Sequence, residues 1–131
     1  MSFENILYQA HSGVRWLVVL ATIVALVALI IGMVQKRPYE AFAKRFMFIF
    51  ARAIEVQWLL GLLLIVVLGQ WAPYQIEHAV TLTIAVVAAH LDMPFRRQAD
   101  SRRYYAAIGA ILVTLVLVYI GVARLPQGWM G

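Results

Sequence analysis

The sequence predicts an all-α integral membrane protein: a single-domain antiparallel four-helix bundle with its N-terminus and C-terminus outside. Three observations predict it. Hydrophobic residues make up 64% of the chain and charged residues only 13%, where a soluble domain carries about 45–50% and roughly 25%. The apolar residues fall into four runs, spanning approximately 10–34, 46–69, 75–92 and 104–123, and a membrane-crossing helix needs roughly 20 residues. The basic residues gather between alternate runs.

The first run, "WLVVLATIVALVALIIGMV" from Trp16 to Val34, has Thr22 as its only polar residue. It is longer than the ~7–15 residue core of a signal peptide, and no basic region precedes it, so it reads as a retained span. The second, "FMFIFARAIEVQWLLGLLLIVVLG" from Phe46 to Gly69, carries Arg52, Glu55 and Gln57 in its first half and almost pure hydrocarbon after them. The third, "IEHAVTLTIAVVAAHL" from Ile76 to Leu91, is short and holds His78 and His90. The fourth, "YYAAIGAILVTLVLVYIGVA" from Tyr104 to Ala123, is broken only by Thr114 and its tyrosines. Pro38, Pro73, Pro94 and Pro126 all fall between or after the runs, where helices stop. In lipid, backbone groups must bond within their own segment, so each run is expected to be a helix. The short connections expected between them make neighbouring helices antiparallel. Ala106 and Ala110 allow close approach at the start of the fourth.

Orientation follows from the loops. The first carries Lys36, Arg37, Lys44 and Arg45, the third Arg96, Arg97, Arg102 and Arg103, and the second, "QWAPYQIE", carries neither lysine nor arginine. Loops one and three are therefore expected on the cytoplasmic side. Trp16, Trp71, Tyr74 and Trp129 then form an outer aromatic belt. The net charge of +5 flanks apolar segments, which suits anionic lipid headgroups and not nucleic acid. The absence of cysteine excludes disulfides, thiolate catalysis and cysteine-bound metal centres. There is no G-x-S-x-G, phosphate-cradling glycine loop or H-E-x-x-H.

With that topology the helices carrying His11 and His78 start from the same outer face, so the two imidazoles lie at similar depth. His90 follows His78 by 12 residues, roughly 18 Å deeper at 1.5 Å per residue, and cannot share a centre with it. Two imidazoles on facing helices offer opposed nitrogens to a flat metal macrocycle, and a four-helix bundle is a usual cradle for haem. Zinc would want about four compact ligands, with only Glu77 and Glu4 to supplement the pair. The plainer alternative is that both histidines are simply hydrated near the bilayer surface. Arg15 stands one turn from His11. It would pair with Glu77 or a haem propionate, Glu77 being the better placed, or snorkel to the headgroups. Trp16 joins His11, His78 and Arg15 as a candidate cofactor-binding residue. On the inner side Arg52 and Glu55 are spaced for an ion pair, and His90 approaches at a similar depth. These three are candidates for handling quinol protons or binding quinone. Their plainer reading is a polar clasp between helices.

"HSGVRW" at the first helix, "QWLLGLLL" in the second and "EH" opening the third resemble a family of small bacterial four-helix membrane proteins labelled cytochrome b-like. The resemblance implies one b-type haem held between His11 and His78, a bacterial inner-membrane location, and electron exchange with quinone or a partner complex. Three histidines cannot supply two bis-histidine haems, so a partner would complete any path across the bilayer. Two other functions stay open. One is a cofactor-free structural or assembly subunit of a respiratory or photosynthetic complex, or of a homo-oligomer. The other is a proton path through Arg52, Glu55 and His90.

Overall fold

The computed structural model describes residues 2–69, 71–126 and 128. Trp129 of the expected aromatic belt lies outside the described residues. All regular structure among the described residues is helical: α1 (Phe3–Val34), α2 (Ala43–Leu68), α3 (Pro73–Ala88) and α4 (Asp100–Ala123), with a short 3-10 turn at Met93–Phe95 before α4. Four helical stretches are long and apolar enough to cross a membrane.

The helix ends explain why the elements differ from the apolar runs. α1 starts seven residues before the expected span because Ser2 caps it, its Oγ accepting from the Asn5 amide at 3.1 Å, with Glu4 in the positive first turn. It ends in a left-handed residue, Lys36 at φ 55°. The Arg37 amide then reaches back to Gly32 O at 2.9 Å and the Lys36 amide to Met33 O at 3.2 Å, the reversal that closes many helices. α2 ends the same way at Gly69, φ 65°. Pro73 opens α3 at a position where its missing amide is harmless, and the Gln75 side chain accepts from the Ala72 amide at 3.0 Å. α3 stops at Ala88. The next residues tighten into turns, His90 to Val87 O and Leu91 to Ala88 O, so His90 lies beyond the helix and not within it.

α1 packs along α2, and α3 along α4; smaller α1–α4 and α2–α3 contacts join the two pairs. Burial is uneven along the length. Leu29, Ala43, Phe50, Ala107 and Ile111 are fully buried, with Tyr39 and Tyr104 nearly so. These residues lie toward the end that carries loops one and three. Thr22 and Thr114 are also buried, each hydroxyl donating to its own helix, to Val18 O and Ala110 O at 2.7 Å. Among described residues α3 buries only Ala85 and Ala88, both in its last turn, and after Ile54 α2 buries only Leu64.

Side chains that the sequence showed only as topological charge knit the packed end together. Arg103 is 9% exposed. Its guanidinium stacks 4.2 Å from the Tyr39 ring centroid and reaches Glu40 at 2.9 Å. Lys44 holds the other Glu40 oxygen at 3.1 Å. Tyr104 donates to Arg37 O at 2.9 Å and meets Tyr39 edge to face at 5.2 Å. Burial, then the nearby Asp92 carboxylate, pushes the Tyr39 hydroxyl well above the usual phenol range, so it stays protonated.

Candidate functional site

His11 lies near the start of α1 and His78 in the second turn of α3, and the structure brings the two rings together. Their centroids are 6.4 Å apart and their planes are inclined at 79°. Metal–imidazole bonds are about 2 Å long and each ring centroid stands ~1.1 Å behind its nitrogen, so imidazoles on opposite sides of one metal ion have centroids about 6 Å apart. The observed separation agrees with that figure.

Each ring rests against a glycine of a neighbouring helix. A Cβ on Gly61 of α2 would stand 3.0 Å from His11 Cε1, so a larger residue there would push the ring aside. His78 Nδ1 lies 2.8 Å from Gly121 O of α4. A carbonyl oxygen only accepts, so Nδ1 carries the proton and Nε2 presents its lone pair. This is the usual arrangement of a metal-binding histidine, whose second nitrogen is held by an acceptor. One turn before Gly61, Gln57 Nε2 donates to the main-chain carbonyl of His11 at 2.8 Å.

Around the rings is a cavity of about 190 Å³, mostly apolar, an order of magnitude beyond the ~10–15 Å³ that one water needs. Its polar wall includes Tyr8, His11, Arg15, Gln57 and His78, and its apolar wall includes Leu64, Ile65 and Leu82. On the α2–α3 side Trp58 Nε1 donates to Thr83 Oγ1 at 3.0 Å, and that hydroxyl donates in turn to Ala79 O at 2.7 Å. Arg15 acts electrostatically on both imidazoles. Trp16 is not brought to them. It is 53% exposed and borders a separate surface pocket with Thr114 and Tyr119; the Arg15 guanidinium lies 5.5 Å from its ring centroid. Glu77, offered from the sequence as a partner for Arg15, accepts from Arg124 at 3.1 Å.

A second polar group joins α2 to the turn after α3. Arg52 Nε donates to both Glu55 oxygens, at 2.8 and 3.1 Å, and His90 Nε2 stands 3.4 Å from Glu55 Oε2. His90 Nδ1 lies 2.8 Å from Val86 O, so it donates to its own segment and leaves Nε2 toward Glu55. Gln57, two residues beyond Glu55 on α2, turns instead toward His11. Two residues on a helix are about 200° apart around its axis, so Gln57 and Glu55 occupy opposite faces.

The residues at the His11 end fit a haem. The ring separation leaves room for one metal ion between the imidazoles, His78 has its Nδ1 anchored, Gly61 leaves room for the His11 ring, and the surrounding wall is mostly apolar. No protein-family profile matches the chain, and neither does any curated protein or solved structure. Among the residues at this site, sequence reasoning missed Gln57, Gly61 and Gly121. The available signal was the spacing of Gln57 and Gly61 in "QWLLG", which puts an amide and a gap on one helix face.

Proposed function

We propose that this protein is a membrane redox subunit that holds one b-type haem between His11 and His78 and exchanges electrons with quinol or a partner complex. In this reading it is an antiparallel four-helix bundle of a bacterial inner membrane, with both termini and the haem toward the outer face. The 6.4 Å approach of the two imidazoles carries the proposal. A bound haem would supply reversible one-electron chemistry. The chain's own part is to hold two neutral nitrogens opposed, to keep a fixed Arg15 charge at the cavity wall, and to exclude water with apolar side chains. Glu55 of α2 and His90 in the turn after α3, which meet at 3.4 Å, would take up or release quinol protons.

The test is an absorption spectrum of the protein purified from haem-replete cells. The expected result is a reducible Soret band with a sharp alpha band, lost in His11→Ala and in His78→Ala. A stable, colourless preparation would end the proposal and favour the cofactor-free structural or assembly subunit.

A further inference from the structure

We propose that Gln57 is the positioning residue of His11: its side-chain oxygen accepts a hydrogen bond from His11 Nδ1–H, which fixes the tautomer and leaves Nε2 unprotonated for a metal. The significance of this role rests on the haem reading above, but the contact itself does not.

The argument begins with an orientation that hydrogen bonding fixes. The Gln57 amide nitrogen faces the His11 carbonyl at 2.8 Å. A carbonyl needs a donor, so the amide cannot be turned over, and Oε1 points elsewhere as an acceptor. That oxygen is buried and bonds to nothing in the protein. His11 Nδ1 is in the same condition. Buried polar atoms are almost always bonded, because leaving them stripped of water without a partner is unfavourable. Here an unmet acceptor and a nitrogen able to donate belong to two residues already joined to each other, and both residues line one cavity. A single hydrogen bond satisfies both atoms, either direct or through one water that accepts from Nδ1–H and donates to Oε1.

His78 supplies the comparison. Its Nδ1 is fixed by Gly121 O, which leaves Nε2 bare. If Gln57 does the same for His11, the two rings become equivalent ligands: each is anchored behind by a neighbouring helix and presents Nε2 in front. The competing arrangement puts a water between the two residues as a donor to both Nδ1 and Oε1. The proton then sits on Nε2 and blocks the metal-binding position.

Nitrogen NMR of histidine-labelled protein in lipid nanodiscs, without added haem, distinguishes the two. At about pH 8 unperturbed imidazoles are neutral, and the chemical shifts report which nitrogen is protonated. The expected wild-type result is Nδ1–H at both His11 and His78. In Gln57→Leu the ratio of Nδ1–H to Nε2–H at His11 should fall roughly tenfold, the scale of one lost hydrogen bond. His78 should be unchanged in the same sample, which also shows that the fold persists. Gln57→Glu keeps an acceptor and should keep Nδ1–H. A wild-type His11 protonated on Nε2 overturns the proposal, even if no variant folds. An unchanged ratio in folded Gln57→Leu overturns it too, by giving the proton to another acceptor. A wild type with the expected tautomer that binds no haem leaves this contact standing and removes the haem proposal instead.

Discussion

At the residue scale, what a glycine does depends on what it faces, and two glycines, one at each end of the molecule, separate the cases. Gly61 has His11 against it, whereas a Cβ on Gly109 would meet nothing within 4 Å. Gly61→Val should displace the imidazole and, on the proposed haem reading, weaken haem uptake by about 10–100-fold, the range seen when a ligand's support is lost; a haem titration with the spectrum as readout checks it. Gly109→Ala should raise thermal stability by about 0.5–1 kcal/mol through reduced backbone freedom, with the same haem affinity. His11 and His78 were legible in the sequence because an imidazole in an apolar run is conspicuous. Gly61 and Gly121 were not, because four glycines lie in or at the ends of the later apolar runs. Only the rotation of each helix decides which one faces a ring. Trp16 shows the converse: its nearness to His11 in "HSGVRW" suggested a shared site, but five residues along a helix are about 140° around it.

At the scale of elements, the join between the end of α1 and the start of α4 is tightly packed. A Cβ on Gly32 would stand 2.6 Å from Tyr104 Oη and 2.8 Å from Phe42 Cδ1, with the hydroxyl committed to Arg37 O. Gly32→Ala is therefore expected to destabilise by about 1–3 kcal/mol through overpacking, and Tyr104→Phe by about 1 kcal/mol through the lost hydrogen bond. Thermal unfolding in detergent measures both. The clasp of Arg52, Glu55 and His90 is partly exposed, so Glu55→Gln should change stability by less than about 1 kcal/mol and leave any haem spectrum intact. Slower reduction by quinol in that variant would assign it proton handling, and an unchanged rate would leave it a clasp. The helices themselves were legible from hydropathy, and their ends were not. Ser2 lengthens α1 through a cap outside the apolar run, and α3 stops at Ala88 although "AHL" continues the apolar pattern. There the turn bonds of His90 and Leu91 prevail over composition.

For the whole molecule, the two ends divide the work: one is packed and cross-linked by side chains, the other surrounds the imidazoles with a cavity. The packed end carries a pH dependence. Hydrogen bonds from Lys44 and then Arg103 hold the Glu40 carboxyl below its usual range. A carboxyl depressed in the folded state stabilises it above the ordinary value of 4.5, and that contribution is lost as pH falls through the lowered one. The thermal midpoint should decline below about pH 4.5, and less steeply in Glu40→Gln. None of this was visible in a loop whose charges served, from sequence, only to give direction. The lengths of the helices have a further consequence. α3 is 16 residues, about 24 Å at helical rise, against roughly 30 Å of hydrocarbon in an average bilayer, while α1 runs to 32 residues. In the proposed bilayer setting, the last part of the Pro73–Phe95 span is turns and not regular helix, so lipids beside α3 would shorten or tilt to meet it. The protein should therefore melt at a higher temperature in vesicles of short acyl chains than of long ones, and should gather in the thinner regions of whichever bilayer receives it.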